Sequence, residues 1–382
     1  MNGVSTAPAT GTAPGSTPVA GPVAGPVGVE PLTPAAPVPA ADVSRVRRAR
    51  LRPARRVRLV LAGLGVAAVG SVLVRVLLGD YVVALADLLP ILRGEMLPDA
   101  PGASFIVMEA KLPRALLGAL AGSAFGAAGS MFQTTLRNPL ASPDIIGISL
   151  GASAAAVVAL TVLDAQGLWL PAAALAGALA VSLLMLAVAR GTALAGQRMV
   201  LVGIGIAALL ASVIQLVMTR TSVQDAQAAL VWLTGSLARA TWPVIGLLAL
   251  SLAVLAPLLA TCSAWMRLAE LGEDVSTTLG APAGRARLGL LVAVAMAAAA
   301  TSATGPIAFV AFVAGPIARR LCGGRPSLWA AALVGAVVVV LSDFAGDYLI
   351  PDVNLPVGVV TGALGAPLMV AVVVAAGRAG RA

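Results

Sequence analysis

Long apolar stretches recur between residues 58 and 376, and they restrict the fold more than any other feature of this sequence. A run of about 18 or more apolar residues can cross the hydrocarbon core of a bilayer as one helix. Lipid supplies no hydrogen bonds, so a spanning chain must form helices or a closed barrel, and the alternating pattern of barrel strands is absent. We therefore predict an all-α, polytopic membrane protein with ten transmembrane helices, near 58–78, 113–135, 144–163, 168–189, 198–219, 242–263, 286–303, 306–322, 327–349 and 356–376.

Composition supports this class and excludes several chemistries. The chain is 59% hydrophobic and 11% charged, and its mean hydropathy is +0.98. It has no histidine, which excludes a Ser-His-Asp site, a Cys-His site and a His-bound metal. Its single lysine, Lys111, is followed by Leu112, so a GxxxxGK[ST] phosphate-binding loop cannot occur and any ATP must be bound by another chain. We expect no catalytic residue, no metal and no cofactor.

The distribution of arginine predicts the orientation in the membrane. With ten spans, nineteen of the 25 basic residues fall on one side, eight of them within residues 45–58. Basic residues accumulate on the cytoplasmic side of membrane proteins, so both termini are predicted to be cytoplasmic. The net charge of +9 therefore indicates topology and contact with anionic lipid rather than nucleic acid. Cys262 and Cys322 fall near predicted cytoplasmic helix ends and are expected to be free thiols.

The predicted domain organisation has three parts. Residues 1–57 form a cytoplasmic tail, which is rich in Pro, Ala and Gly up to residue 44 and expected to be disordered there, and is rich in arginine afterwards. Residues 58–376 form the ten-helix domain, and residues 377–382 form a short cytoplasmic tail.

The stretch from Lys111 to Ser153 joins two predicted spans through a short polar turn. Pro143 and Asp144 suit the first turn of the second span, where an N–H lacks a partner and the helix dipole favours an acid. Packing alone leaves two interpretations equally open, a tight helical hairpin and a functional segment. The first span is rich in small residues, which let neighbouring helices approach closely: Gly118, Gly122, Ser123, Gly126, Gly129 and Ser130.

Residues 264–287 form an inner loop with a helical amphipathic pattern. Gly272 and Gly280 divide it into two short predicted helices. A folded helical pair on the cytoplasmic side indicates a docking surface for a soluble partner, while an amphipathic loop lying on the membrane is the alternative. The apolar positions at helical spacing are Leu268, Leu271, Val275 and Leu279.

Three stretches, taken in order, carry a family resemblance. They are KLPR with RNPLASPDIIGISLGAS in 111–153, LAELGEDVSTTLGAPAGRAR with TSATGPIAFVAFVAGPIARRL in 268–321, and SDFAGDYLIPDVNLPVGVVTGALGAP in 342–367. Together they resemble the FecCD family of ABC importer permeases, which carry ferric siderophores, haem and cobalamin, and the resemblance covers roughly residues 58–376. Within the family, VWLTGSLARATW in 231–242 and FVAFVAGPIARRL in 309–321 resemble the second permease of ferric-enterobactin-type catecholate systems more than the cobalamin branch.

The resemblance implies a transport subunit of the cell membrane and not an enzyme. A second, different permease subunit would form the translocation pathway with this chain. Two ATP-binding subunits would drive alternating access from the cytoplasm. An extracellular siderophore-binding protein, a lipoprotein in Gram-positive bacteria, would deliver the ferric siderophore. A haem or cobalamin permease is the alternative within the same class.

The resemblance also assigns roles to individual residues. Lys111 and Arg114 match an outer basic pair that docks the binding protein, with snorkelling to lipid headgroups as the alternative. The positions that match the coupling helices for the ATPase are Glu270, Leu271, Gly272, Leu279 and Gly280. The positions that match the inner end of the second span, bordering the translocation pathway, are Gln133, Arg137, Asn138 and Pro139. For Gln133, a hydrogen bond between helices is the alternative.

Three positions depart from the family's pattern. Asp347 stands where the family often has an arginine, Gly315-Pro316 stands where it has Pro-His, and Asn354 replaces a glutamate. The reversed charge at Asp347 fits an asymmetric pair of permeases in which the other subunit supplies the missing contact.

Two other classes of function are open before any resemblance is considered. An ion-coupled secondary carrier would normally keep a charge inside its helices, despite a cost of about 2.5–3.5 kcal/mol. The predicted helix interiors hold almost no acids, which argues against such a carrier. A membrane anchor without a pathway would tolerate bulky residues at Gly122, Gly126 and Gly129.

Overall fold

The computed structural model describes residues 40–95, 100–188, 195–264, 285–350 and 352–379, together with Leu268, Val275, Thr278 and Leu279. The chain has two compact units, Met1–Ala49 and Arg50–Ala382, and the helical bundle lies in the second. The helices are α1 (Ala40–Leu77), α2 (Leu85–Leu92), α3 (Pro101–Phe105), α4 (Leu112–Thr135), α5 (Ile148–Val162), α6 (Trp169–Val188), α7 (Ala195–Met218), α8 (Val223–Thr234), α9 (Trp242–Ser263), α10 (Arg285–Thr304), α11 (Val310–Leu321), α12 (Leu328–Tyr348) and α13 (Val357–Ala379).

The prediction of an all-α, polytopic membrane protein is confirmed. Each of the ten predicted ranges holds a helix, and no strand occurs among the described residues. Among the residues that the structure describes, five helices are long and apolar enough to cross a membrane: Arg55–Leu77, Gly102–Thr135, Leu201–Met218, Trp242–Ser263 and Leu328–Tyr348. Four more are apolar but shorter: Ile148–Val162, Trp169–Met185, Leu288–Thr304 and Val357–Val370.

Two helices begin later than predicted because turns occupy their first residues. Pro143–Ile146 forms a 3₁₀ turn, and Gly147 follows it in the left-handed region at φ +84°, so α5 begins at Ile148. Phe309 is also left-handed, with φ +65°, and α11 begins immediately after it. A left-handed residue cannot continue a right-handed helix, which explains both displaced boundaries.

Helix α4 is the centre of the bundle. It packs against α9, α10, α11 and α12, and most of its residues are buried. A methyl group added at Gly122, Gly126 or Gly129 would lie 2.3, 2.1 and 1.7 Å, respectively, from backbone carbonyl oxygens of α12 or α11. These distances are too short for any side chain. The close approach of neighbouring helices that the small residues predict is therefore confirmed at these three positions.

The segments between the predicted spans contain helices that the hydropathy pattern does not indicate, namely α2, α3 and α8. Helix α8 begins with a side-chain cap, because the Ser222 hydroxyl accepts from the Asp225 N–H at 3.2 Å and donates to its carboxylate at 2.7 Å. The backbone just after α8 is held by two neighbouring elements. The Ser236 N–H donates to the Thr304 carbonyl at 2.8 Å, and the Gly358 N–H donates to the Gly235 carbonyl at 3.2 Å.

Candidate functional site

Four charged side chains, which we call the charge cluster, join helices α1, α4 and α12. Arg75 at the end of α1 donates to Asp343 and to Asp347, each at 2.8 Å. Arg114 in the first turn of α4 donates to the other oxygen of Asp343 at 2.8 and 3.0 Å and to Asp347 at 2.9 Å. Each carboxylate therefore bridges both guanidinium groups.

The charge cluster is formally neutral and largely removed from solvent. The side chains of Arg75 and Asp343 are 4% and 1% exposed, and those of Asp347 and Arg114 are 11% and 21% exposed. The Arg75 guanidinium also lies 5.9 Å from the centroid of the Tyr348 ring. A buried ion pair is tolerated only when its hydrogen bonds are well satisfied, and here both carboxylates are doubly bonded. The cluster therefore fixes the relative positions of three helices.

Lys111 is buried one turn before Arg114 and faces the backbone that follows α1. Its side-chain ammonium donates to the carbonyl of Leu78 at 2.9 Å and also to the carbonyl of Tyr81. Both members of the predicted docking pair are thus bonded inside this chain. The docking role of Lys111 and Arg114 stays a prediction.

An outer cavity of about 640 Å³ opens beside the charge cluster, at the end of the bundle that the arginine distribution assigns to the outside. Lys111, Arg114 and Asp347 line it, together with Asn354. Two of the three departures from the family pattern therefore lie beside the predicted docking pair. The reversed charge at Asp347 has a local physical reason, because its carboxylate pairs with Arg75 and Arg114.

Sequence reasoning assigned no role to two members of the charge cluster, Arg75 and Asp343. The signal at Arg75 is an arginine in the last turn of an apolar helix. That signal does not identify a partner, and Asp343 lies 268 positions away along the chain.

Gln133 lies near the inner end of α4 and reaches into α11. Its side chain is 8% exposed, and its amide donates to the Phe312 carbonyl at 2.9 Å. The helix–helix hydrogen bond that the sequence left open is therefore present. A methyl group at Gly315 would lie 1.9 Å from the Gln133 amide oxygen. The departure at Gly315 thus leaves space for the Gln133 side chain, whose pathway role stays a prediction.

The Arg137-Asn138-Pro139 segment turns the chain after α4. Arg137 is left-handed, with φ +50°, and the Asn138 N–H returns to the Gln133 carbonyl at 3.1 Å, which closes the helix end in a Schellman-type cap. The Asn138 side-chain oxygen accepts from the Leu140 N–H at 2.9 Å. Asn138 is therefore engaged in holding the turn that presents Arg137.

An inner cavity of about 640 Å³ lies between the ends of α4 and α11. Three of the four predicted pathway residues, Gln133, Arg137 and Pro139, line it. The structure thus places these three residues at one site, which α11 completes. The remaining lining residues are Thr134, Pro316, Arg319, Arg320 and Gly324.

The predicted coupling helices are described at only a few positions. Glu270, Leu271, Gly272 and Gly280 lie outside the described residues. Leu279 is described; its side chain is 57% exposed, and its N–H donates to the Val275 carbonyl at 3.0 Å. The coupling role of this loop stays a prediction.

Comparisons with known proteins find a matching family and similar permeases. Residues 67–375 match the model of the FecCD transport family. The chain is 37% identical over 267 residues to the Fe(3+)-citrate import system permease protein YfmE of Bacillus subtilis, which covers 69% of this chain and 80% of that protein. It is 36% identical over 293 residues to the ferric enterobactin transport system permease protein FepG of Escherichia coli, which covers 74% of this chain and 87% of that protein.

A solved structure shares the fold. It is an inward-facing conformation of a metal-chelate type ABC transporter, with a TM-score of 0.72 and 21% sequence identity. The match covers 83% of this chain and 99% of that one.

Proposed function

This chain belongs to the FecCD transport family, and we propose that it is a permease subunit of an ATP-driven importer of ferric siderophores. It is a transport component of the membrane rather than an enzyme. The observation that carries the proposal is the arrangement around α4, a central buried helix with a charged cavity at each end. The names of the two relatives, which are permeases for ferric citrate and for ferric enterobactin, support an iron chelate as the cargo.

Within this class we propose a catecholate siderophore as the substrate. The similarity to the ferric enterobactin permease supports this choice, and the equal similarity to a ferric citrate permease makes citrate the alternative to test. A pathway formed by two subunits takes its shape from both. Uptake must therefore be measured with the assembled importer to distinguish a catecholate siderophore from ferric citrate.

The proposed assembly contains a second permease, two ATP-binding subunits and an extracellular binding protein, with both termini of this chain in the cytoplasm. Arg114 lines the outer cavity, where an acidic residue of the binding protein can reach it. The exposed Leu279 and Val275 support ATPase docking at 264–287, because apolar positions at helical spacing are the ones that pack into a groove of a partner.

A clean deletion of the gene tests the proposal. We expect uptake of the ⁵⁵Fe-labelled catecholate siderophore to be abolished and then restored by the gene in trans, while the binding protein remains loaded with chelate. Growth tests with ferric citrate, haem and cobalamin separate the alternatives. Unchanged uptake of every iron chelate after deletion contradicts the proposal.

A further inference from the structure

A third cavity, of about 460 Å³, lies at the C-terminal end of α8, and we call it the α8 cavity. Its walls come from the turn between α5 and α6, from segment 231–244 and from the end of α10. Ligand sites in proteins commonly have volumes of about 300–1,000 Å³. Among its lining residues that the structure describes, none has been assigned to docking, coupling or the translocation pathway. The proposed function therefore leaves this cavity without a role.

Two hydrogen-bond donors of the α8 cavity have no acceptor within the described part of the chain. Trp232 is only 7% exposed, and its indole N–H forms no hydrogen bond to a described residue. Arg239 is exposed, and no ion pair or hydrogen bond joins its guanidinium to a described residue. Buried donors are normally paired, so an unpaired indole N–H in a cavity wall indicates an acceptor from outside the chain. The cavity thus offers one free donor in its interior and one charged donor at its mouth.

The rest of the α8 cavity is mainly apolar, and none of its described lining residues is acidic. One arginine cannot balance a polyanionic iron chelate, and an apolar wall gives such a chelate no hydrogen bonds. One arginine does match a single phosphate group. The composition therefore fits an amphiphile with one negative charge. The large apolar side chains of the wall are Leu160, Leu168, Leu170, Pro171, Val231 and Val244.

The α8 cavity lies where the bundle meets a membrane surface. Helices α6 and α9 begin beside it at Trp169 and Trp242, and the residues on either side of each tryptophan line the cavity. Trp169 is 77% exposed, and tryptophan is enriched at the depth of the lipid headgroups. Leu168 and Val231 of the cavity wall are 49% and 41% exposed. Exposed apolar side chains around the mouth favour an opening toward lipid rather than toward water.

We propose that the α8 cavity binds one anionic phospholipid. Arg239 pairs with the phosphate at the mouth, the Trp232 N–H donates to an ester oxygen, and an acyl chain lies along the apolar wall. Because the wall joins α5, α6, α8 and α10, the bound lipid stabilises their packing at this end of the bundle. The inference does not depend on which chelate the importer carries.

The test uses the fluorescence of Trp232 in the full importer, purified on a tag on this chain and placed in phosphatidylcholine nanodiscs. Phosphatidylglycerol with brominated acyl chains is added at increasing mole fractions, since bromine quenches a nearby indole. The difference between each protein and its Trp232→Phe counterpart isolates the signal of Trp232. The variants are Arg239→Gln and the cavity-filling Ala303→Leu. Arg220→Gln is the control, because Arg220 is an exposed arginine at the same predicted outer end that does not line the cavity.

We expect Arg239→Gln to raise the mole fraction needed for half-maximal quenching about fivefold, the usual effect of one basic residue on an anionic lipid. Brominated phosphatidylcholine should bind the unaltered importer about fivefold more weakly than phosphatidylglycerol, and Arg239→Gln should remove this difference. Arg220→Gln should stay within about twofold of the unaltered importer. Equal titrations for Arg239→Gln and Arg220→Gln overturn the inference.

The cavity-filling variant tests whether the acyl chain enters. Ala303→Leu should largely remove the quenching of Trp232 by both lipids while the size-exclusion profile of the importer is kept. Unchanged quenching in a normally assembled Ala303→Leu importer overturns the inference. If Arg239→Gln leaves the titration unchanged and instead releases the second permease or the binding protein, a partner protein covers the cavity and the inference is overturned.

Discussion

The Gln133 side-chain amide donates to the Phe312 carbonyl at 2.9 Å, and this carbonyl lacks the usual helical donor four residues later. The residue four positions later is Pro316, which has no N–H to donate. Gln133 thus supplies, from α4, the hydrogen bond that Pro316 cannot donate. It links the central helix to α11 at the turn that the proline interrupts. The pairing gives Gln133 a structural role alongside the pathway role proposed for it.

Replacing Gln133 by leucine should destabilise the protein by about 1–3 kcal/mol, because the buried Phe312 carbonyl would lose this side-chain donor. Heating the detergent-purified protein and following the monodisperse fraction by size-exclusion chromatography measures the change in Tm. Gln224→Leu is the matched control, since Gln224 is an exposed glutamine of α8. Equal Tm values for the two variants contradict the assigned hydrogen bond.

Gly315→Ala should destabilise the protein only when Gln133 is present. The new methyl group would lie 1.9 Å from the Gln133 amide oxygen, so the amide must leave its position. In a Gln133→Ala background that conflict disappears. A double-mutant cycle on Tm should therefore give a coupling energy of about 1 kcal/mol or more between the two sites. Additive effects would show that Gly315 and Gln133 do not compete for this space.

Asp343→Asn should be severely destabilising, by about 3–5 kcal/mol, because it leaves Arg75 with reduced compensation in a buried site. The Asp343 side chain is 1% exposed and bonds both arginines. Asp352→Asn, at an exposed acid just beyond α12, should leave Tm nearly unchanged. The yield of folded protein and its Tm report both effects. A variant at Asp343 as stable as that at Asp352 would show that the charge cluster is not needed to hold the three helices.

Gly129→Ala should prevent normal folding, whereas Gly70→Ala should be silent. The added methyl group at Gly129 would meet the Ala311 carbonyl oxygen at 1.7 Å, and that backbone atom cannot move without shifting α11. At Gly70 of α1, nothing beyond the adjacent backbone of the helix itself lies within 4 Å of the added methyl group. Expression level and size-exclusion profile compare the two. Normal behaviour of Gly129→Ala contradicts the close helix contact.

Leu279→Asp should release the ATPase without affecting docking of the binding protein, if 264–287 forms the coupling surface. The Leu279 side chain is 57% exposed, so the substitution is not expected to disturb the bundle. Leu163→Asp is the control, because Leu163 is 69% exposed at the opposite, predicted outer end. Copurification of the ATPase should fall about tenfold for Leu279→Asp alone, as for the loss of an apolar anchor. Equal recovery of the ATPase with both variants refutes the coupling role.

The parts of the fold that depend on local sequence patterns could be predicted from the sequence. Apolar runs gave the positions of ten helices, and the spacing of Gly122, Gly126 and Gly129 indicated a helix that others approach closely. Helix α8 was missed although its signal is present, since Ser222 stands three residues before Asp225, as in many helix starts.

The parts that depend on distant partners could not be predicted in this way. Arg75 and Asp343 are joined only by folding, and a single sequence contains no information about which charges will pair. The motif around Lys111 and Arg114 indicated two exposed cations at the surface. In the structure both are bonded within the chain, Arg114 to Asp343 and Asp347 of α12 and Lys111 to backbone carbonyls that follow α1.

The ion pair between Arg75 and Asp343 can form only late in the synthesis of the chain. The ribosome adds 268 residues between these two positions, which takes roughly 13–54 s at ordinary translation rates of about 5–20 residues per second. Throughout that interval Arg75 sits at the end of a newly inserted helix without its carboxylates. Until α12 is synthesised, the Arg75 guanidinium needs other partners, such as lipid headgroups or the insertion machinery. The first helix therefore reaches its final position only when synthesis is almost complete.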